Sequence, residues 1–518
     1  MLAKNYDVAI IGAGIGGLGV GAILAAKEHM KVLVVEKESF LGGRAVSFSG
    51  RGNKVVSFDK EFNPQEFKKA LASTYTWIAK SEPELEAIFN KGLLDGYTFE
   101  GACHLSFWGN QGRISCLMNF LNKPIYMETN QGFAVVNPND HTTFYQIQPG
   151  SPYPWMSKEG TKETKELLRE MATMSFEAIE KLGGSLGQWL KEKNAGPEAY
   201  DFIKLLATSQ MVLADPDLIP VVDYMKLPAI GKDIGMNLIS GSAGAMGEPG
   251  FTDIAIKLAG LIKENGGAVL KDTPVDQVNI EGGRAKGILI RYKSAPELIE
   301  APIVICNIPI RHIFKVLLEQ HFPGDFVKEI KERYWGAGMV AALMGLKRNI
   351  FEDKKINSRS FIFVPSVIRD KRFRADVDFV IWSSSNFAHR TPAGQHTLEF
   401  VVPLVDKETH EKYKVDMIIN EAWEFLRKNF PTIDEDTIFS IWTVSDEGYG
   451  NWRPVGSQRP DVKCPWVEGL YFVGDAYGRK LWGAGIDAAT LSAVLCVDSI
   501  TGKTYEKHIF PAYHRSSV

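Results

Sequence analysis

Tyr6-Asp7-Val8-Ala9-Ile10-Ile11-Gly12-Ala13-Gly14-Ile15-Gly16-Gly17 stands near the start of the chain, and Lys31-Val32-Leu33-Val34-Val35-Glu36 follows it. An apolar strand enters a glycine-rich turn, a small-residue helix comes next, and a second buried strand ends in an acid. In this pattern Gly12 allows the tight turn and Gly14 lets the backbone approach a pyrophosphate. Gly17 lets the helix pack closely on its strand. The N–H groups at the helix start then face the phosphates. Glu36 comes about twenty residues after the glycines, where a carboxylate accepts hydrogen bonds from ribose hydroxyls. A lone G-x-G-x-x-G is a weak signal; strand, turn, helix, strand and acid in register predict a dinucleotide-binding βαβ unit. The competing reading of Val8 to Ala26 is a membrane span or signal segment. Its glycines, Asp7 in front and the second strand behind favour the βαβ unit.

Leu41-Gly42-Gly43-Arg44-Ala45 comes directly after the ribose acid. A glycine pair before an arginine lets backbone pass close to a pyrophosphate and adds a guanidinium suited to it. This extended pattern resembles the FAD superfamily that holds the flavin amine oxidases and the phytoene desaturase (carotenoid desaturase/isomerase) group. The resemblance implies FAD as cofactor, with Gly43 and Arg44 extending the first motif. Later stretches fit the same group. Thr273-Pro274-Val275-Asp276-Gln277-Val278 resembles its third cofactor stretch, where the backbone amide at Val275 reads the adenine edge. Gly469-Leu470-Tyr471-Phe472-Val473-Gly474-Asp475 resembles its final strand, where Asp475 after Gly474 accepts from a ribityl hydroxyl. Leu481-Trp482-Gly483-Ala484-Gly485-Ile486-Asp487 then opens a helix at Gly485 and Ile486, whose positive end faces the flavin.

The fold class implied is α/β: a Rossmann-type FAD-binding domain with an interleaved α+β substrate domain of mixed sheet and helical cap. Discontinuous residues 1–60, 95–118, 240–310 and 460–505 are assigned to the cofactor domain. Residues 119–239 and 311–459 are assigned to the substrate and cap domain, and 506–518 to a tail. Residues 61–94 are an insertion relative to the family pattern, a lid or contact element, with Asn63–Ala79 and Glu82–Asn90 read as helices. Helical spacing marks Lys158–Lys193, broken at Gly183-Gly184, and the region near Tyr200–Thr208. Gly336–Leu346, Phe361–Pro365, Phe379–Ser385 and Thr397–Pro403 read as strands of an antiparallel sheet, and Asp416–Asn429 as an amphipathic helix. Trp335, Trp382, Trp442, Tyr449 and Trp452 suit an apolar cavity and equally a plain core.

With 518 residues, 45% of them hydrophobic and 23% charged, the chain is expected to be a soluble protein of more than one core. A net charge of −3 offers no footprint for nucleic acid. The five cysteines lack C-x-x-C or metal spacing, so reduced thiols of a cytoplasmic protein without a metal site are expected. The fingerprint begins so close to Met1 that no cleavable targeting segment fits before it.

The chemistry follows from the resemblance. Flavin amine oxidases typically carry a lysine on a substrate-domain strand, and Trp335–Leu343 has none; their aromatic before the final helix is matched by Gly485. Both departures favour the desaturase branch, which acts on uncharged polyenes. Desaturation of an isoprenoid, carotenoid or terpene by hydride transfer to flavin N5 is the leading expectation, with an electron acceptor such as quinone or oxygen. A redox-neutral isomerase or a saturase is the alternative; an amine oxidase or a non-catalytic FAD-binding subunit of an oligomer ranks lower. His104, in Gly96-Tyr97-Thr98-Phe99-Glu100-Gly101-Ala102-Cys103-His104, is the candidate for proton handling, since this segment is expected beneath the flavin. A histidine satisfied by backbone is the competing reading, and Cys103 is read as packing. Arg479 and Lys480 are read as solvated loop charges or anchors for a polar substrate head, and Glu447 and Arg453 as lining the cavity. The lipid-soluble substrates of the family imply peripheral membrane contact.

Overall fold

The computed structural model describes residues 3–101, 105–148, 150–151, 153–332, 334–447, 450–478, 485–511 and 513. The opening stretch forms the centre of a five-stranded parallel sheet. Its order is Ala268–Leu270, Val32–Val35, Val8–Ile11, Ile303–Cys306 and Leu470–Phe472. Ile10 pairs with Val34 on one side and Ile305 on the other. The three central strands are almost continuously buried, as strands covered on both faces require. Helix Ile15–Glu28 packs against Thr252–Glu264 and Gly485–Thr501. Val8 to Ala26 is therefore strand, turn and helix, and no helix among the described residues is long and apolar enough to cross a membrane.

The second large sheet has eight strands. In order they are Phe144–Ile147, Phe133–Val136, Phe361–Ile368, Val377–Trp382, His396–Leu404, Gly338–Leu346, Thr437–Ser445 and Thr76–Glu82. The pairing of Phe133–Val136 with Phe361–Ile368 is parallel and the others are antiparallel, so the sheet is mixed. Period-2 alternation gives it two apolar faces. Val340, Phe400 and Trp442 pack with Ile418, Ala422 and Phe425 of helix Lys412–Asn429. Met339, Val401, Val380 and Phe363 face the cofactor domain and a helical cap. The cap comprises Lys158–Thr173, Phe176–Glu180, Leu186–Glu192, Pro197–Met211 and Val221–Asp233. Of these, Val221–Asp233 carries no clear sequence signal: it is buried nearly all round and contains Pro228, so neither polar stripe nor unbroken helical composition marks it.

Three element readings need correction. Residues 63–79 are not one helix: Pro64–Ser73 is helical and Thr76–Glu82 is a strand. Asn63 caps the helix through a capping box with Glu66, and the Thr74 hydroxyl donates to the Leu71 carbonyl at its end, 2.8 Å away. Tyr75 then turns the chain, and the β-branched and aromatic run from Thr76 pairs with Thr437–Ser445 as the sheet edge. The strand expected over 379–385 ends at Trp382, where Ser384–Phe387 makes a helical turn. The substrate-domain sheet, read as antiparallel from residue 308 onwards, also recruits residues 76–82, 133–136 and 144–147. Helices Pro64–Ser73 and Leu85–Asn90 pack Phe67, Leu71, Ile88 and Phe89 against Phe48, Phe62 and Phe99, so residues 61–94 are built into a core.

Candidate active site

A long cavity runs along the carboxyl ends of the parallel strands. Gly12 turns the chain with φ +97°, and a Cβ there would sit 2.8 Å from the Asn307 carbonyl oxygen. Gly14 lies beside Gly42, whose N–H donates to the Ala13 carbonyl at 2.9 Å. The doublet at 42–43 is thus laid directly against the first turn, with φ +102° and +58°. Glu36 ends its strand inside the cavity, 7% exposed, accepting the Ala13 N–H at 2.8 Å and the Glu38 N–H at 2.9 Å. Burial pushes its carboxyl up, and those two amides pull the other way.

The structure brings Gly12, Gly14, Glu36, Gly43, Arg44, Val275, Gly474, Asp475, Gly485 and Ile486 to this one cavity. Gly17 is set back from it: a Cβ there would lie 2.2 Å from the Gly12 carbonyl oxygen, so its lack of a side chain seats the helix on the turn. Arg44 and Asp475, expected to serve different parts of a cofactor, are ion-paired at 3.0 Å, and Arg44 also donates to the Glu447 carbonyl at 2.8 Å. Glu447 accepts from Arg311 at 3.2 Å and bonds His312 Nε2 at 3.1 Å. Burial raises the Glu447 carboxyl, but His312, Arg44 and Arg311 together hold it below the usual range. Arg453 instead pairs with the buried Asp223 of the cap at 3.1 Å and is not among the described residues lining this cavity. Asn307, directly after strand Ile303–Cys306, lines the cavity, and its Nδ2 donates to the Gly12 carbonyl at 3.1 Å.

The cavity fits a dinucleotide. Its glycines allow the turns at Gly12 and Gly42-Gly43 to lie close together, and Glu36 and the start of the Gly485–Thr501 helix both line it. His104, Cys103, Arg479, Lys480, Trp482 and Tyr449 lie outside the described residues.

A second cavity, about 820 Å³ including its opening, adjoins the helix end of the first. Phe133, Phe361, Phe363, Val380, Trp382, Val401 and Met339 form its floor on the eight-stranded sheet. Leu105, Phe107, Ala243, Leu238 and Val212 close over it. Ser106, Asn130, Ser209, Gln210 and Ser242 add polar atoms, but no ionisable side chain stands among the described residues that line it. Met339 occupies the strand on which a lysine was sought and not found. Trp442 sits on the opposite face of the sheet against Phe400, so it is core rather than cavity wall.

Asp487 joins the two cavities. It follows Ile486 of the first and accepts the Ser106 hydroxyl at 3.2 Å and the Phe107 N–H at 2.9 Å, both residues of the second. It also accepts the Arg113 N–H at 2.9 Å, and burial pushes its carboxyl up to about 6. Glu100 of the expected flavin-facing segment is buried in an ion pair with Arg390 at 2.6 Å. Burial drives the Glu100 carboxyl up to about 7 against the pull of Arg390 and Ser47.

Residues 15–501 match the family model described as flavin containing amine oxidoreductase. Among curated proteins, the chain is similar to a chloroplastic prolycopene isomerase of Daucus carota, at 21% identity over 96% of this chain and 80% of the relative. It is also similar to a zeta-carotene-forming phytoene desaturase of Myxococcus xanthus, at 24% identity over 48% of this chain and 51% of that one. The fold matches an oxidoreductase from Methanosarcina mazei with TM-score 0.65 at 17% identity, covering 96% of this chain and all 100% of the other. Putrescine oxidase bound to putrescine aligns with TM-score 0.64 at 15% identity over 96% and 99% of the two chains. This chain belongs to the flavin-containing amine oxidoreductase family and is an FAD-dependent oxidoreductase.

Proposed function

We propose that the chain desaturates an apolar unsaturated molecule of the isoprenoid, carotenoid or terpene class. The observation that carries this reading is the second cavity, whose described lining holds no ionisable side chain. An apolar ligand gains about 2.5 kcal/mol for roughly every 100 Å² it buries, so it needs no charged anchor. A substrate ammonium would lose its hydration there without a carboxylate to pair with. Likeness to the carotenoid desaturases and isomerase points to the same substrate class.

Gly12, Gly14, Gly43 and Arg44 would hold the FAD pyrophosphate, Glu36 the adenosine ribose, Val275 the adenine and Asp475 the ribityl chain. Gly17 supports the turn. Gly485 and Ile486 would set the positive helix end at the ring system. When bound, the flavin supplies hydride acceptance. The floor from Phe133 to Val401 orients an extended hydrocarbon and excludes water. His104, next in sequence to the cavity residue Leu105, is the proposed holder of the substrate proton. Anaerobic titration with isoprenoids and terpenes tests the reading: bleaching of the flavin's visible band by one class is expected. A flavin that stays oxidised with every apolar candidate would overturn it. A second reading, redox-neutral isomerisation, is favoured by likeness to the carrot isomerase over 96% of the chain. It predicts turnover on reduced enzyme with no acceptor consumed.

A further inference from the structure

Tyr75 belongs to the stretch that departs from the family pattern, and its backbone is unusual. It holds φ +62°, a left-handed conformation that side chains other than glycine's rarely take and that costs free energy to keep. Two hydrogen bonds over-determine it: the Ser445 hydroxyl and the Asp446 N–H both donate to its carbonyl, at 3.0 and 3.1 Å. The result is that its ring enters the wall of the dinucleotide cavity together with Ser73 and Thr74. There it lies flat on His312, which lines the same cavity, ring centroids 4.8 Å apart and planes 7° from parallel. His312 is held by Glu447 Oε1, and the Glu447 carbonyl holds Arg44, which pairs with Asp475. One residue therefore buttresses both the stack and the arginine of the glycine doublet. Burial and the Glu447 charge push the Tyr75 phenol up to about 12, so the ring stays neutral beside that carboxylate.

We propose that Tyr75 and His312 form a stacked aromatic clamp in the lining of the cofactor cavity that retains FAD. They are positioning and binding residues, and Tyr75 stands at the turn between helix Pro64–Ser73 and strand Thr76–Glu82. The inference rests on the assignment of the first cavity to FAD and not on the substrate.

The test is the rate of FAD release from purified holoprotein, followed by recovery of free-flavin fluorescence, with apoprotein melting as the control. Tyr75→Gly deletes the ring while relaxing the backbone, because glycine adopts φ +62° freely. It is expected to speed release about tenfold, the scale of a lost aromatic pair, with the apoprotein melting no lower than wild type. Tyr75→Phe keeps the stack and is expected to release FAD within about twofold of wild type. His312→Ala should match Tyr75→Gly, and the double variant should add little, since the stack acts as a unit. Wild-type release from both single variants would overturn the clamp. So would FAD loss in Tyr75→Gly that merely follows a lowered apoprotein melting temperature. Since no substrate enters the assay, either failure leaves the desaturase reading standing.

Discussion

The cofactor cavity takes its shape from glycine turns, backbone amides and a few carboxylates. The neighbouring apolar cavity takes its shape from side chains contributed by five strands of one sheet and by the loops and helix above them. In the first, a ligand is read by groups whose positions follow from local backbone geometry. In the second, it is read by the volume left between packed surfaces. The two sites should therefore fail separately: a change to a turn should cost cofactor and spare the apolar cavity, and a change to the sheet floor should do the reverse.

Gly17→Ala is the most severe way to break that separation. The new Cβ would meet the Gly12 carbonyl oxygen at 2.2 Å, so the helix must leave its turn. Loss of flavin absorbance from the purified protein is expected, with destabilisation of about 3 kcal/mol in denaturant melts. Full flavin occupancy in this variant would refute the account of the turn. Glu36→Ala removes the acceptor of two backbone N–H groups and, on the proposed assignment, a ribose contact. FAD affinity measured by fluorescence quenching should weaken by about 2 kcal/mol, roughly thirtyfold.

Val380→Thr sharpens the contrast from the other side. It keeps the shape of a floor residue paired to Phe363 and Val401 and puts a hydroxyl into the apolar cavity. Binding of an apolar substrate, read from the concentration dependence of flavin reduction, should weaken about tenfold. FAD retention should not change.

A separate effect concerns pH. The Glu100 carboxyl, at about 7 in the folded chain against its ordinary 4.5, holds its proton better folded than unfolded. That contribution to stability is complete below about 4.5 and is lost as pH rises through about 7. Wild-type melting temperature should fall over this window, and Glu100→Gln should flatten the slope. Equal slopes would mean that the Arg390 ion pair, not burial, governs this carboxyl.

The contrast also explains what could be read in advance. The cofactor residues form short runs in which spacing itself carries the chemistry: Gly12, Gly14 and Gly17 around one turn, Glu36 at the next strand end, Gly42 and Gly43 against Gly14. Hydrogen bonds within those runs, such as Ala13 N–H to Glu36, are consequences of a single βαβ geometry. Phe133, Leu238, Phe361 and Val401 meet only because distant strands pair and a cap covers them, and each reads in sequence as an ordinary core residue. The misread of residues 63–79 has the same origin: local propensity supported a helix, and pairing of Thr76–Glu82 with Thr437–Ser445 overrode it past Ser73. Trp382 and Trp442 show the point on single side chains. Both are sheet tryptophans, and only the pleat sends one to the cavity and the other to the helix-covered face.

Sequence alone determined that this chain carries a βαβ dinucleotide unit, an acid at the end of its second strand, a glycine doublet with arginine and a closing Gly-Asp strand. It could do so because turn geometry and phosphate contacts are specified by neighbouring residues. Tertiary structure alone decided that Arg44 and Asp475 pair, that Tyr75 stacks on His312, and that a cavity with no ionisable side chain among its described lining residues opens under the cap. The two pairs join residues hundreds of positions apart, and all three relations exist only once the sheets have packed and water has been excluded between them.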